Sequence, residues 1–317
     1  MDLRSLGYVV AIVDEGGFGR AAATLGVTQP TLSHAVKALE NELGARLFHR
    51  LGRSVALTAA GDALLGPARQ ALRDAEVARA AVAEVVGLAA GRLDLVCLPT
   101  LAVDPVALLV GRFRAQNPGI RVRIDEPEDA DAVADLVRTG ASELGFAELP
   151  LRLSELDSVE LAGHEFVAVL PGEPAPESPS RLGVSGAGSG KQALTIAELA
   201  AMPLVTTPPG TSTRRQIDEA FAAAGLTPTI AVETDHRESI VAMVLAGAGV
   251  AILPEPVAMA AAVDRAGAVV RSITPTIERR VGLIRRPGPL SPAAQAFTAL
   301  AVPGTPVAPA RPRARRR

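Results

Sequence analysis

Gln29, Ser33, His34 and Lys37 are the residues whose types and spacing most directly describe a contact chemistry. They fall within TQPTLSHAVKALENELG, residues 28–44. Steps of three and four residues bring Pro30, Ser33, His34, Lys37 and Asn41 to one side of a helix. An amide, a hydroxyl, an imidazole and an ammonium displayed together suit base edges and phosphate oxygens in a major groove. They equally suit a solvated face, and periodicity alone leaves both readings open. Other chemistries fare worse. The four histidines, at positions 34, 49, 164 and 236, have no metal-ligand spacing, and no Ser/His/Asp set can be placed, so no metal, cofactor or catalytic group is expected. The run GVSGAGSGKQ imitates a phosphate loop, but Ser185 stands where glycine is required and Gln192 where Ser or Thr is required.

The elements that would position the polar face can be read from periodicity and punctuation. Residues 3–13 repeat Leu3, Leu6, Val9, Val10 and Val13 at helical steps, and Gly16-Gly17 breaks them. A short Ala-rich helix over 18–25 ends at Gly26-Val27. Thr28 is a suitable N-cap, Pro30 fits the first turn, and Gly44 supplies the stop. Leu32, Val36, Leu39 and Leu43 form the stripe expected to be buried. Residues 46–57 read as a two-stranded ribbon turning at Leu51-Gly52. From Thr58 to about Val86 runs a long helix containing Pro67. Its apolar seam, from Leu64 to Val86, suggests a second copy of itself as partner.

Beyond Gly91, strand and helix signals alternate. Strands are expected at 93–98, 120–124, 143–147, 166–171, 203–207, 229–233, 250–254, 268–273 and 281–285. Helices are expected at 104–116, 130–139, 213–224 and 238–247. Such alternation predicts βαβ units and mostly parallel sheets, enough for two small α/β lobes. Residues 172–193 read as a surface loop and 303–317 as a disordered basic tail. Of the 317 residues, 48% are hydrophobic but only 3% aromatic, so the cores rest on Ala, Val and Leu. A single cysteine, Cys97, excludes an internal disulfide framework and fits a cytoplasmic protein. No signal peptide or membrane span is expected. Net charge is -2, and the first sixty residues hold six basic and five acidic side chains. DNA binding would therefore depend on where charge is placed.

The stretch RAAATLGVTQPTLSHAVKALENELGARLFHR followed by LTAAG resembles the N-terminal domain of LysR-type transcriptional regulators. The match runs in register through Ala21, Ala22, Leu25, Val27, Thr28, Gln29, Pro30, Leu32, Ser33, Val36, Leu39, Glu40, Leu43, Gly44, Leu47, Phe48 and Arg50. It continues through Leu57, Thr58, Ala60 and Gly61. The resemblance implies a winged helix-turn-helix over 1–58, a linker and dimerisation helix over 59–88, and an effector-binding domain over 91–302. That domain would be two-lobed and like a periplasmic binding protein, with lobe I at about 91–162 and 268–302 and lobe II at about 163–267. The implied DNA-binding residues are Thr28, Gln29, Pro30, Thr31, Ser33, His34 and Lys37 on the helix, with Arg50 and Arg53 on the ribbon. Arg53 would reach the minor groove.

The resemblance also implies a small-molecule effector between the lobes, contacted by Thr100, Leu101, Phe146, Thr206 and Thr207. It implies double-stranded promoter DNA, an unidentified effector and RNA polymerase as partners, in a homodimer or homotetramer. Two departures stand out. Gly17-Phe18-Gly19 replaces a common Ser-Phe-Thr, removing two hydroxyls that approach phosphate. His34 replaces a common arginine with a residue type whose charge changes near neutrality. Two other classes remain as alternatives: a small-anion-binding protein with a helical dimerisation module, and an enzyme on the same two-lobed scaffold.

Overall fold

The computed structural model describes residues 1–51, 54–85, 91–151, 155–172, 193–263 and 267–302. The expected loop at 172–193 lies almost wholly outside these residues, as do Arg53, the end of the linker helix, the phosphate-loop-like run and the basic tail.

The N-terminal unit comprises α1 (Leu3–Asp14), α2 (Phe18–Leu25), α3 (Gln29–Leu43), a ribbon of β1 (Phe48–Leu51) and β2 (Ser54–Leu57), and α4 (Ala59–Val85). Its helices begin and end where local chemistry dictates. Asp2 accepts a hydrogen bond from Ser5 N at 2.7 Å to cap α1, and the Thr28 hydroxyl accepts from Thr31 N at 3.3 Å to cap α3. Gly44 ends α3 at φ 68, a left-handed conformation that costs glycine nothing. Leu6, Val9, Ile12, Ala21, Ala22, Leu32, Val36 and Leu39 share one core with Leu47 and Phe48. Leu43 departs from the expected stripe: it is 41% exposed, because it is the last residue of α3 and lies past the core. Leu51, expected in the turn, is instead the last residue of β1 and pairs with Ser54.

The linker helix also differs from expectation. The first part of its seam is not waiting for another molecule, since Ala68 is buried in the N-terminal core, Leu64 and Ala71 pack against that core, and Leu65 is buried as well. Beyond it, Arg69 bonds both Asp14 of α1 and the Thr139 hydroxyl, and Arg73 bonds the Gly140 carbonyl. These contacts fasten α4 to the C-terminal half.

That half contains β3 (Gly91–Cys97), a single helical turn α5 (Pro99–Leu101), α6 (Ala107–Gln116), β4 (Ile120–Asp125), α7 (Ala130–Arg138), β5 (Leu144–Leu149) and β6 (Asp157–Pro171). It continues with β7 (Leu194–Thr195), α8 (Ile196–Ala200), β8 (Pro203–Thr206), α9 (Ser212–Ala223), β9 (Thr229–Glu233) and α10 (Arg237–Leu245). Last come β10 (Ala251–Pro254), α11 (Glu255–Val263), β11 (Ala268–Thr274), β12 (Glu278–Arg285) and α12 (Pro292–Ala301). The sheets are mixed, not mostly parallel. β3 runs parallel to β4 and β5, but β12 is antiparallel to β5 and β6, and β6 is antiparallel to β10 and β11. Parallel pairing returns for β7 with β11 and for β8 with β9.

Two lobes share these strands. β6 is 15 residues long: up to Glu165 it pairs with β12 in the first lobe, and from Phe166 it pairs with β10 and β11 in the second. The chain returns between β11 and β12. Hence 268–274 belongs with the second lobe, whose core also takes Ile273 and Ile277, whereas the sequence boundary at 268 places it in the first. The expected helix at 104–116 starts only at Ala107. Asp104 is extended at φ -147 and ψ 129, since a residue before proline is kept out of the helical region.

Gly61 explains the LTAAG motif. A Cβ there would lie 2.1 Å from the Leu47 carbonyl oxygen and 2.8 Å from Leu57 Cδ2. The neighbouring Thr58 hydroxyl donates to Arg46 O at 2.5 Å and accepts from Gly61 N at 3.0 Å. Replacing Gly61 with Ala is therefore expected to destabilise the N-terminal unit by about 1–3 kcal/mol. Urea unfolding followed by the fluorescence of Tyr8, the sole tyrosine, reads this locally. An unchanged midpoint would contradict the packing.

Candidate functional site

Two regions gather polar groups that the fold does not need for itself. The first is the outer side of α3. Thr28, Gln29, Pro30, Thr31, His34, Lys37 and Asn41 are exposed, Ser33 is half-buried, and Leu32, Val36 and Leu39 are buried beneath them. The helix thus presents one continuous polar surface with its cap intact. Thr28 and Thr31 join hydroxyls at 2.8 Å. Ser33 and Lys37 line a groove that runs between α3 and the ribbon, past Phe18, Arg46 and Phe48. Gln29 Oε1 lies 3.9 Å from where a Cβ on Gly19 would sit, so the small residue at 19 leaves that amide uncrowded.

The ribbon is set against α3 by a residue whose role the sequence did not disclose. Glu40 accepts from Leu47 N at 2.7 Å and Phe48 N at 3.4 Å, tying the far end of α3 to the start of β1. Phe18 and Phe48 meet edge to face at 5.5 Å. Arg50 lies on β1 opposite Val55.

The second region is the crossing between the lobes. Arg279 is only 1% exposed and sits opposite His164 in the β12–β6 register. Arg279 Nη1 donates to the Thr100 hydroxyl at 2.8 Å, and Nη2 donates to His164 Nδ1 at 3.0 Å. Arginine has no acceptor to offer, so Nδ1 must carry the lone pair and Nε2 the proton. Nε2 then donates to the Asp104 carboxylate at 2.9 Å. Phe166 covers the guanidinium, with Cζ 5.8 Å from its centroid. Burial pulls the Arg279 pKa down to about 10, while the field of Glu148 opposes this and that of Arg237 adds to it.

Ion pairs join the lobes around this centre. Arg215 of α9 meets Asp129 at 3.1 Å and Glu148 at 3.4 Å. Gln216 also bonds Glu148, Arg237 of α10 pairs with Glu128, and Ser212 N donates to Glu128 O at 3.1 Å. Burial raises the Glu148 pKa, against the opposing effect of Arg215.

The expected effector residues separate. Thr100 reaches the crossing, but the cation there is Arg279; α5 is a single turn and contributes no helix-end field of consequence. Thr206 is 3% exposed at the end of β8, and its buried hydroxyl has no hydrogen-bond partner among the described residues. Thr207 is bonded to Thr211, the N-cap of α9, at 2.7 Å. Leu101 and Phe146 are core residues: both are fully buried in the first lobe, and Phe146 packs edge-on to Phe297. Their side chains fill that core, which corrects their expected place in the cleft. Arg279, His164, Glu148, Arg215 and Arg237 were not singled out from sequence. An arginine among strand residues in ERRVGLI was the available signal.

His164 yields a test. Burial and Arg279 lower its pKa, while Asp104 and Glu255 raise it, with burial and Arg279 prevailing. A folded pKa below the unfolded value means that the unfolded chain binds the proton first. The stability this residue provides is thus present above the unfolded value of about 6.5 and is lost as pH falls below it. Thermal unfolding is expected to show a larger drop from about pH 7.5 to about pH 5.5 in the wild type than in His164→Gln, whose amide does not titrate there. Equal drops would refute the neutral assignment.

The geometry agrees with the comparisons. Residues 3–62 match the family model of the bacterial regulatory helix-turn-helix protein, lysR family, and residues 86–304 match the LysR substrate binding domain. The HTH-type regulators YnfL and IlvY of Escherichia coli K12 are 32% and 31% identical to this chain over 258 residues each. These alignments cover 80% and 81% of this chain and 82% and 83% of theirs. A full-length OxyR cysteine variant from Pseudomonas aeruginosa superposes with a TM-score of 0.71 at 26% identity, covering 95% of this chain and 93% of that one. CbnR in complex with its target DNA shares the fold at a TM-score of 0.61 and 24% identity, over 95% of this chain and 99% of that one. No helix among the described residues is long and apolar enough to cross a membrane. A capped helix with a clean polar face, a ribbon locked beside it and a two-lobed domain with charged groups at its crossing thus occur in one chain, which belongs to the LysR family of helix-turn-helix transcriptional regulators.

Proposed function

We propose that this regulator reads promoter DNA with α3 and senses a small molecule between its lobes. The supporting observation is the continuous polar surface of α3 over the buried Leu32, Val36 and Leu39. In this reading Gln29 pairs with an adenine edge, and Ser33 bonds a base or a phosphate. Thr28, Pro30, Thr31, His34 and Lys37 follow the groove walls and phosphates, while Arg50 and Arg53 serve the adjacent backbone and minor groove. The domain division at 58, 88 and 302 carries over with β11 assigned to the second lobe. Two chains pair along the remainder of α4, and pairs of dimers form tetramers. The effector contacts Thr100 and the free hydroxyl of Thr206, with Thr207 supporting that edge through Thr211.

Effector binding shifts one lobe against the other, which alters DNA bending and the recruitment of RNA polymerase. The protein acts in the cytoplasm as a binding protein, without catalysis of its own. A thiol sensor is not part of this reading. Cys97 is buried, and burial raises its pKa to about 12, which keeps it a thiol and unreactive.

Binding to the DNA beside its own gene, measured across a salt series, tests the interface. Lys37→Ala is expected to reduce the slope of log affinity against log salt by about one. Gln29→Ala is expected to weaken specific binding by about 1–3 kcal/mol while leaving that slope unchanged. Specific binding that survives both substitutions together would reject α3 as the reading helix.

A further inference from the structure

Arg279 is a buried charge that the protein leaves incompletely answered. A guanidinium carries five N–H donors and is ordinarily buried only against a carboxylate. Among the described residues, Arg279 makes two hydrogen bonds, both to neutral acceptors: the Thr100 hydroxyl and His164 Nδ1. Its Nε is buried and has no partner among the described residues. The acids of the neighbourhood are engaged elsewhere: Asp104 by His164, Glu148 by Arg215 and Gln216, and Glu128 by Arg237. Among the described residues, the lobes therefore close around a cation with no carboxylate in direct contact.

We propose that Arg279 is the recognition group of the interlobe site and that its ligand is a small organic monocarboxylate, held by guanidinium N–H groups that Thr100 and His164 leave unused. This rests on the reading above, in which an effector binds between the lobes. Three observations select the class. A planar fork of N–H donors matches a carboxylate in two parallel bonds. Phe166 covers one face of the guanidinium, so the ligand must approach in its plane, beside an aromatic wall suited to a carbon skeleton. Glu148 is near enough for its field to act on Arg279, and Asp104 is one residue beyond it through His164. A doubly charged phosphate would meet both, whereas a monoanion neutralises Arg279 without excess.

His164 and Thr100 hold the guanidinium in orientation, and Thr206 offers a second buried hydroxyl at the end of β8. Opening is governed by the pairs of Arg215 and Arg237 with Asp129, Glu148 and Glu128. Their partly exposed side chains are compatible with breaking and re-forming.

The test is thermal unfolding of the full chain with acetate, pyruvate and benzoate, each compared with its amide. At least one carboxylate is expected to raise Tm in a saturable way where its amide does not. Arg279→Gln is expected to weaken that carboxylate on the order of a hundredfold. Arg279→Lys, which keeps the charge and loses the fork, serves if the Gln variant fails to fold by circular dichroism, and it too is expected to bind more weakly. Equal stabilisation by acid and amide, no stabilisation by any of the three acids, or undiminished binding in the variant that folds would each overturn the proposal. A footprint of the DNA beside the gene separates this from the broader reading. A footprint that answers to an amide but to no acid defeats the carboxylate and leaves the effector reading standing. Carboxylate binding lost in the variant, with a footprint that never changes, upholds Arg279 and defeats the regulatory role.

Discussion

A guanidinium enclosed where two lobes exchange strands is the constraint around which the C-terminal half is organised. The β12–β6 register brings Arg279 opposite His164, and the single turn after β3 brings Thr100 to the same point. Each contributes a neutral acceptor, so the site is polar without being neutralised. Desolvation is the largest influence on Arg279, and among the described residues no direct ion pair relieves it. Because β6 and the β11–β12 return serve both lobes, a change of charge at the crossing acts on the strands about which the lobes would move.

The N-terminal half obeys a different constraint: a helix that offers its polar side to DNA must be held entirely by its other side and its ends. Three buried residues, a threonine cap and a left-handed glycine define α3. Glu40 then fixes the ribbon to the same helix, and Thr58 with Gly61 fixes α4 to the ribbon. None of these groups needs to touch DNA, yet each sets where Gln29, Ser33 and Lys37 are presented. The glycines at 17 and 19 leave the α2 end without hydroxyls, which places more of the interface on α3 itself.

Legibility from sequence followed the range of the interactions. Caps, punctuation and periodicity are local, and they located α1 to α3, the ribbon and α4 to within one or two residues. The strands of the α/β half were legible for the same reason, but their directions were not: pairing β5 with β12 joins residues far apart in the chain. The first part of β6, from Asp157, is harder to read, because Val159 and Leu161 are its sole large apolar residues among exposed polar ones. The residues proposed to face DNA were recognisable as a motif. The cleft was not, since Arg279 gains its meaning only from Thr100 after β3 and from His164 and Phe166 on β6, two other segments of the chain. Phe146 shows the converse: a residue expected in the cleft whose side chain packs in the core of the first lobe.

The central claim joins these halves: charge bound at the crossing changes how α3 and its partner copy sit on DNA. The direct measurement is the footprint on the DNA beside the gene, recorded for the wild type and for Arg279→Gln with and without a carboxylate that stabilises the wild-type protein. The account predicts a protected region whose extent changes with the carboxylate in the wild type and stays fixed in the variant, with α3 contacts retained in both. A footprint that responds identically in the two proteins would contradict it.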